Sequence, residues 1–163
     1  MRMASIRVPL VAPVASVLLF SCTGSWLTLR PDGTPGPEKC PERALYTMRI
    51  MQVRPGDSVM ADVDTSQADQ TPISLNDGPV ESMLLEDVGW LGMGSTVYGR
   101  IWTGGQNVVI RYYEARPVDG ERLKICAVAR LSHGNMQKLP ESRPGNALLE
   151  FSKTSIVFVD EFL

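Results

Sequence analysis

Few residues in this sequence are of a type that does chemistry, and most of them stand alone. The one histidine is His133, in His133-Gly134-Asn135. A single imidazole does not furnish the usual His-rich zinc site. No Gly-x-Ser-x-Gly elbow or Ser-x-x-Lys pair supplies a nucleophile for it to activate. Carboxylates cluster at Glu81, Glu86 and Asp87, and again at Asp160 and Glu161. Two such groups about 5–9 Å apart across a cleft would suit glycoside hydrolysis; otherwise they are acidic loop and strand-end residues facing water. Asp62, Asp64 and Asp69 offer oxygens to calcium, but without EF-hand spacing or its loop glycine. No metal and no cofactor is expected.

Leu91-Gly92-Met93-Gly94-Ser95-Thr96-Val97-Tyr98-Gly99 has the outline of a protein-kinase glycine-rich loop, with Val108-Val109-Ile110-Arg111 where a kinase carries its lysine strand. The match fails in detail. Arg111 replaces the lysine, Val97 stands where the third glycine belongs, and no His-Arg-Asp or Asp-Phe-Gly follows. These glycines read as the entry to a tight hairpin.

The cysteines divide by address. Arg2 and Arg7 precede an apolar run from Val8 to Phe20, broken by Ser16 and by Pro9 and Pro13. This is the layout of a secretory signal over residues 1–21, too short for a stable span. It ends in Leu19-Phe20-Ser21-Cys22, which resembles the bacterial lipobox and implies cleavage before Cys22 and lipidation of that residue. Thr23 after the cysteine favours the outer membrane by the enterobacterial sorting pattern. The alternative address is a periplasmic or secreted product. Cys40 and Cys126 remain, and an even pair in an oxidising compartment reads as one disulfide.

Those residues must be held by a single domain. The chain has 163 residues, 44% of them hydrophobic and 21% charged, as in ordinary globular proteins. Losing Arg2 and Arg7 takes the formal net charge from −2 to −4, which argues against a general nucleic-acid binder. From Cys22 to Lys39 the sequence is rich in Gly, Pro, Ser and Thr and reads as a flexible tether. The folded domain follows over 40–163. Cys40-Pro41-Glu42 opens a short helical pattern carried by Ala44, Leu45, Met48 and Met51 and stopped by Pro55-Gly56. Strand patterns follow at Ser58–Asp64, Pro79–Leu85, Ala147–Phe151 and Ser155–Phe162, with polar loops at Thr65–Asp77 and His133–Gly145.

Between Ser95 and Leu131 the sequence predicts a three-stranded meander. If Gly104-Gly105 and Asp119-Gly120 are both two-residue turns, paired residue numbers add to 209 in the first hairpin and 239 in the second. Ile101 then faces Val108, Gly99 faces Ile110 and Val97 faces Tyr112; Tyr112 faces Ala127 and Ile110 faces Ala129. Both registers put Val97, Gly99, Ile101, Val108, Ile110, Tyr112, Ala127, Ala129 and Leu131 on one uncharged face. The opposite face carries Tyr98, Arg100, Trp102, Arg111, Tyr113 and Arg130, with Cys126 beneath the expected helix. Arginines beside aromatics suit stacking and bidentate contacts with an anionic glycan, a lipid headgroup or a protein partner. About seven antiparallel strands and one N-terminal helix give a mainly β protein, a β-sandwich or small open barrel.

Cys40-Pro41, Gly78-Pro79-Val80, Leu85-Glu86-Asp87, Gly99-Arg100-Ile101-Trp102, Arg111-Tyr112, Glu114-Ala115-Arg116, Asp119-Gly120 and Ile125-Cys126 occur here in this order. Over roughly Cys40 to Phe162 the chain thereby resembles an uncharacterised group of myxobacterial exported lipoproteins, often labelled serine/threonine protein kinase although they lack kinase motifs. The resemblance implies export in a Gram-negative bacterium and no particular activity, since its motifs are turns, strands and a cysteine pair. The expectation is a lipid-anchored, non-catalytic envelope protein that binds a partner, an envelope protein or anionic glycan, through a sheet face. The alternatives are an exported hydrolase using carboxylates or His133, and a structural accessory of the envelope.

Overall fold

The computed structural model describes residues 28–131 and 136–163. The expected signal peptide, Cys22 and His133 lie outside the described residues. In chain order the elements are β1 (Glu38–Lys39), α1 (Glu42–Ile50), β2 (Ser58–Asp62), β3 (Ile73–Asn76), β4 (Gly78–Leu84), β5 (Thr96–Trp102), β6 (Asn107–Arg116), β7 (Leu123–Arg130), β8 (Met136–Gln137), β9 (Asn146–Leu149), β10 (Lys153–Phe158) and β11 (Glu161–Phe162).

The mainly β expectation is met by a barrel that closes. Strands run β5-β4-β2-β10-β7-β6, every pair is antiparallel, and β6 returns to pair with β5. Closure leaves no free edge in the ring. Alternation supplies its interior: Val59, Ala61, Val80, Leu84, Val97, Ile101, Ile110, Tyr112, Ala127, Ile156 and Phe158 are all buried. The inner face expected of the meander is therefore the barrel's interior wall.

The second hairpin has the expected register where it matters most, with Arg111 opposite Val128 and Tyr112 opposite Ala127. Its connection spans residues 117–122 instead of two, and the register slips by one beyond Tyr112. The first hairpin departs by two residues: Ile101 pairs with Ile110 and Gly99 with Tyr112. From Gly99 to Trp102 this even shift keeps each side chain on its expected face, and a bulge between Tyr98 and Gly99 then pairs Val97 with Ala115. The cause lies in Gly104 and Gly105, neither of which has the positive φ that the expected turn requires. A Cβ on Gly104 would come within 2.2 Å of the Asp32 carbonyl oxygen, and one on Gly105 within 2.7 Å of the Thr34 methyl. These glycines admit another piece of chain, and the turn moves along the strand.

That piece is the second departure. The tether expected over 22–39 does not extend through residues 28–39. Leu29 bridges Pro35 around a turn, Gly36 N donates to Thr28 O at 2.6 Å, and Thr34, Pro35 and Gly36 are buried. The segment lies as a strap across the barrel wall and ends in β1, which pairs with β11. Its many prolines and glycines make close contacts with few side chains to accommodate.

α1 packs Ala44 and Met48 on β7, and Met48 Sδ accepts from Cys126 N at 3.4 Å. Glu42 in its first turn and Arg49 in its last agree with the helix dipole. The expected disulfide joins Cys40 to Cys126 with Cα atoms 5.9 Å apart, tying the helix start to the barrel.

Candidate functional site

The outward face of β5, β6 and β7 carries all six residues expected to bind, and the fold divides them. Arg111 is not available to a ligand, being only 1% exposed. It donates to Gly36 O at 2.8 Å and more weakly to Pro35 O and Leu163 O, lies 3.6 Å from a Glu38 oxygen, and stacks 4.9 Å above the Phe162 ring. Burial pulls its guanidinium below the usual range, while the Tyr113 hydroxyl and Glu38 pull the other way. Arg111 is the clamp that fixes the strap and β11 to the barrel. Sequence alternation gave its face but not its cover, since the strap binds it through main-chain carbonyls that any residue type provides.

Arg130 is exposed at the end of β7, opposite Ser155, and does not join the others. Tyr98 faces a different neighbourhood, with the Arg122 guanidinium 3.8 Å and that of Arg116 5.8 Å from its ring centre. The remaining three, Arg100, Trp102 and Tyr113, converge on one groove of about 510 Å³.

The groove runs between the start of α1 and the barrel wall. Pro41, Ala44, Ile125 and the largely buried Trp102 line it and make it mainly apolar. Arg43 from α1, Arg100 from β5 and Lys124 from β7 stand around it, and Glu38 is its one acid. Glu38 is already engaged by Arg111 and by the Tyr113 hydroxyl at 3.4 Å. Burial and Glu38 push the Tyr113 hydroxyl up, so it stays protonated and donates. Lys124 bonds Glu114, whose pKa this contact lowers. Among the described residues, Arg43 and Arg100 have no carboxylate within ion-pair distance. The Arg100 guanidinium lies 5.7 Å from the Trp102 ring centre, pre-positioned over an aromatic face.

Sequence reasoning missed Arg43, Ile125 and Lys124. Arg43 could have been found, because a disulfide at Cys40 places the first turn of α1 beside β7. Ile125 could not, because it reaches the groove only through the irregular register after Tyr112, where two β7 residues, Ile125 and Cys126, face the single Tyr113.

Of the residues considered for hydrolysis or calcium, Asp64, Asp69 and Asp87 are held by local structural contacts. Asp64 caps a short turn, accepting from Ser66 N at 2.9 Å and Gln67 Nε2 at 2.7 Å. Asp87 accepts from Met93 N, and Asp69 pairs with Lys153 at 3.1 Å. No group of three potential metal ligands occurs among the described residues. No protein-family model matches this chain, and no curated protein does.

Proposed function

We propose that this is a lipid-anchored, non-catalytic protein of the bacterial cell envelope that binds a partner through the groove beside α1. The observation that carries the binding reading is the pair Arg43 and Arg100, cations without carboxylate partners among the described residues, at the edge of an apolar, tryptophan-backed surface. Such a groove suits an acidic group attached to a ring or apolar side chain, the chemistry of an anionic glycan or of an acidic-aromatic loop on an envelope protein. Because the barrel ring is closed, no strand can be added to the ring strands that wall this groove, and recognition there runs through side chains. The hydrolase and the structural-accessory readings have no comparable support. The anchor reading rests on Leu19-Phe20-Ser21-Cys22 at the end of the apolar leader.

Two experiments test the parts separately. Radiolabelled palmitate should enter the wild type and not Cys22→Ser, with only the former in the membrane fraction; label on neither removes the anchor. An oligogalacturonate titrated into the purified protein, together with photo-cross-linking from position 124 in cells, tests the groove. Glycan binding or one discrete cross-linked protein, lost in Arg43→Ala/Arg100→Ala, supports it. Signals unchanged by that double substitution overturn it.

A further inference from the structure

Three connections, residues 51–57, 85–95 and 117–122, meet at one end of the barrel, where Thr96 pairs with Arg116, Leu123 with Ala115, and Leu85 N donates to Met60 O. They touch one another. Trp90 N donates to Met51 O at 2.8 Å, and a Cβ on Gly94 would meet a Val118 methyl at 3.5 Å. The middle connection is fixed from within: Leu91 is fully buried and bridges Val88, Met93 N donates to Asp87, and Gly94 N donates to Leu84 O. Yet Trp90 and Met93 beside Leu91 are 63% and 67% exposed, and Ile50 and Val118 continue the surface at 48% and 64%. Adjoining large apolar side chains make a patch, unlike the scattered single residues normal on a surface. Because the backbone beneath them is already ordered, covering them costs little further freedom.

The charges around this patch are sorted by side. Next to Ile50, Arg49 and Arg54 line a depression of about 390 Å³. Asp57, its one acid, is held by the Arg54 amide at 2.8 Å. Next to Val118 stand Asp119 and Glu121, both exposed. Among the described residues, neither these two acids nor Arg49 and Arg54 have an opposite charge within ion-pair distance. A surface with cations on one side, acids on the other and apolar residues between is complementary to itself under a two-fold rotation. Trp, Met and Arg are also residues that protein interfaces favour.

We propose that this end of the barrel is a homodimer interface, with Trp90 near the two-fold axis and Arg49 and Arg54 of each copy facing Asp119 and Glu121 of the other. The groove beside the start of α1 shares no residue with it, so the two proposals stand or fall separately. For the test, full-length chains with two different affinity tags are co-expressed, carrying a benzophenone amino acid at position 90 or 118, or at 151 as a control outside the patch. The expected result is a product bearing both tags, several-fold stronger from 90 and 118 than from 151. With the benzophenone at 90, it should be lost when both chains carry Arg49→Glu/Arg54→Glu, or when both carry Asp119→Lys/Glu121→Lys, because like charges then face each other. It should return when one chain carries each pair, since the mixed dimer restores both contacts. All four positions are exposed, and both variants should keep the wild-type urea midpoint. No product above the control, a product indifferent to the charge exchanges, loss without return in the mixture, or cross-linking only to a different protein overturns the interface.

Discussion

Arg100 and Arg111 face each other directly across β5 and β6, a placement of like charges that ordinarily destabilises a sheet. The same substitution at the two positions should give opposite results. Arg111→Met keeps an unbranched side chain against Phe162 and Trp102 but removes three donated contacts, of which the 2.8 Å bond to Gly36 O is the strong one. Hydrogen bonds to a charged group contribute about 1.5–3 kcal/mol each when short and well aligned. Relief of the buried guanidinium's desolvation offsets part of the loss. The net should be about 2–3 kcal/mol, or a melting temperature lower by about 5–10 °C for a domain of this size. Arg100→Met, at an exposed position, should stay within about 0.5 kcal/mol. Urea unfolding with the disulfide intact measures both, and limited proteolysis should nick residues 28–39 faster in Arg111→Met alone. If Arg111→Met unfolds within about 0.5 kcal/mol of wild type, or Arg100→Met loses as much, the clamp assignment is refuted.

Reduction of Cys40–Cys126, or its replacement by two alanines, should cost about 4–5 kcal/mol for a sequence separation of 86, read as a fall in urea midpoint that reductant does not deepen in the alanine variant. Gly99→Ala should cost about 3 kcal/mol by the same unfolding assay, because its Cβ would stand 2.2 Å from Arg111 O and against the Tyr112 ring, forcing apart the pair that closes the barrel. Tyr112→Phe should cost about 1 kcal/mol through loss of the 2.8 Å bond to Ser82 Oγ, and difference absorbance should show Tyr112 still protonated well above the pH where exposed tyrosines ionise, since burial raises its pKa. Hydrogen bonds hold Asp64 and Glu114 below the usual carboxylate range, so each adds stability that is present above the unfolded pKa and lost as pH falls through the folded one. The urea midpoint should fall as the solution is acidified below about pH 4, and less so in Asp64→Asn/Glu114→Gln.

What could be read in the sequence was whatever the two-residue period of a strand controls. Ile101, Ile110, Tyr112 and Ala127 had to share a face in any register differing by an even number, so this part of the interior wall survived a first hairpin shifted by two. The Cys40–Cys126 pair followed from counting, and Ala44 and Met48 followed from helical spacing. Ring closure was not legible, because nothing in an alternating strand says whether its outer neighbour exists. Nor was the strap: Pro35-Gly36-Pro37 has the composition of a free linker, and its attachment depends on main-chain oxygens meeting one arginine 75 residues later. The site shared that fate. Arg100, Trp102 and Tyr113 were identified as a face, but the groove exists only because α1 and Arg43 stand over them.

The long reach of the Cys40–Cys126 bond constrains how such a chain is made. In a polypeptide that crosses a membrane with its N-terminus leading, Cys40 arrives in the oxidising compartment while Cys126 is still on the other side. During that interval the only other thiol present is Cys22, eighteen residues ahead. A small-loop bond between those two would leave Cys126 alone and α1 pinned to the leader end instead of to β7. On the proposed anchor reading, acylation of Cys22 through a thioether would take that sulfur out of the exchange, and the tethering modification would then leave the remaining two cysteines a single way to pair.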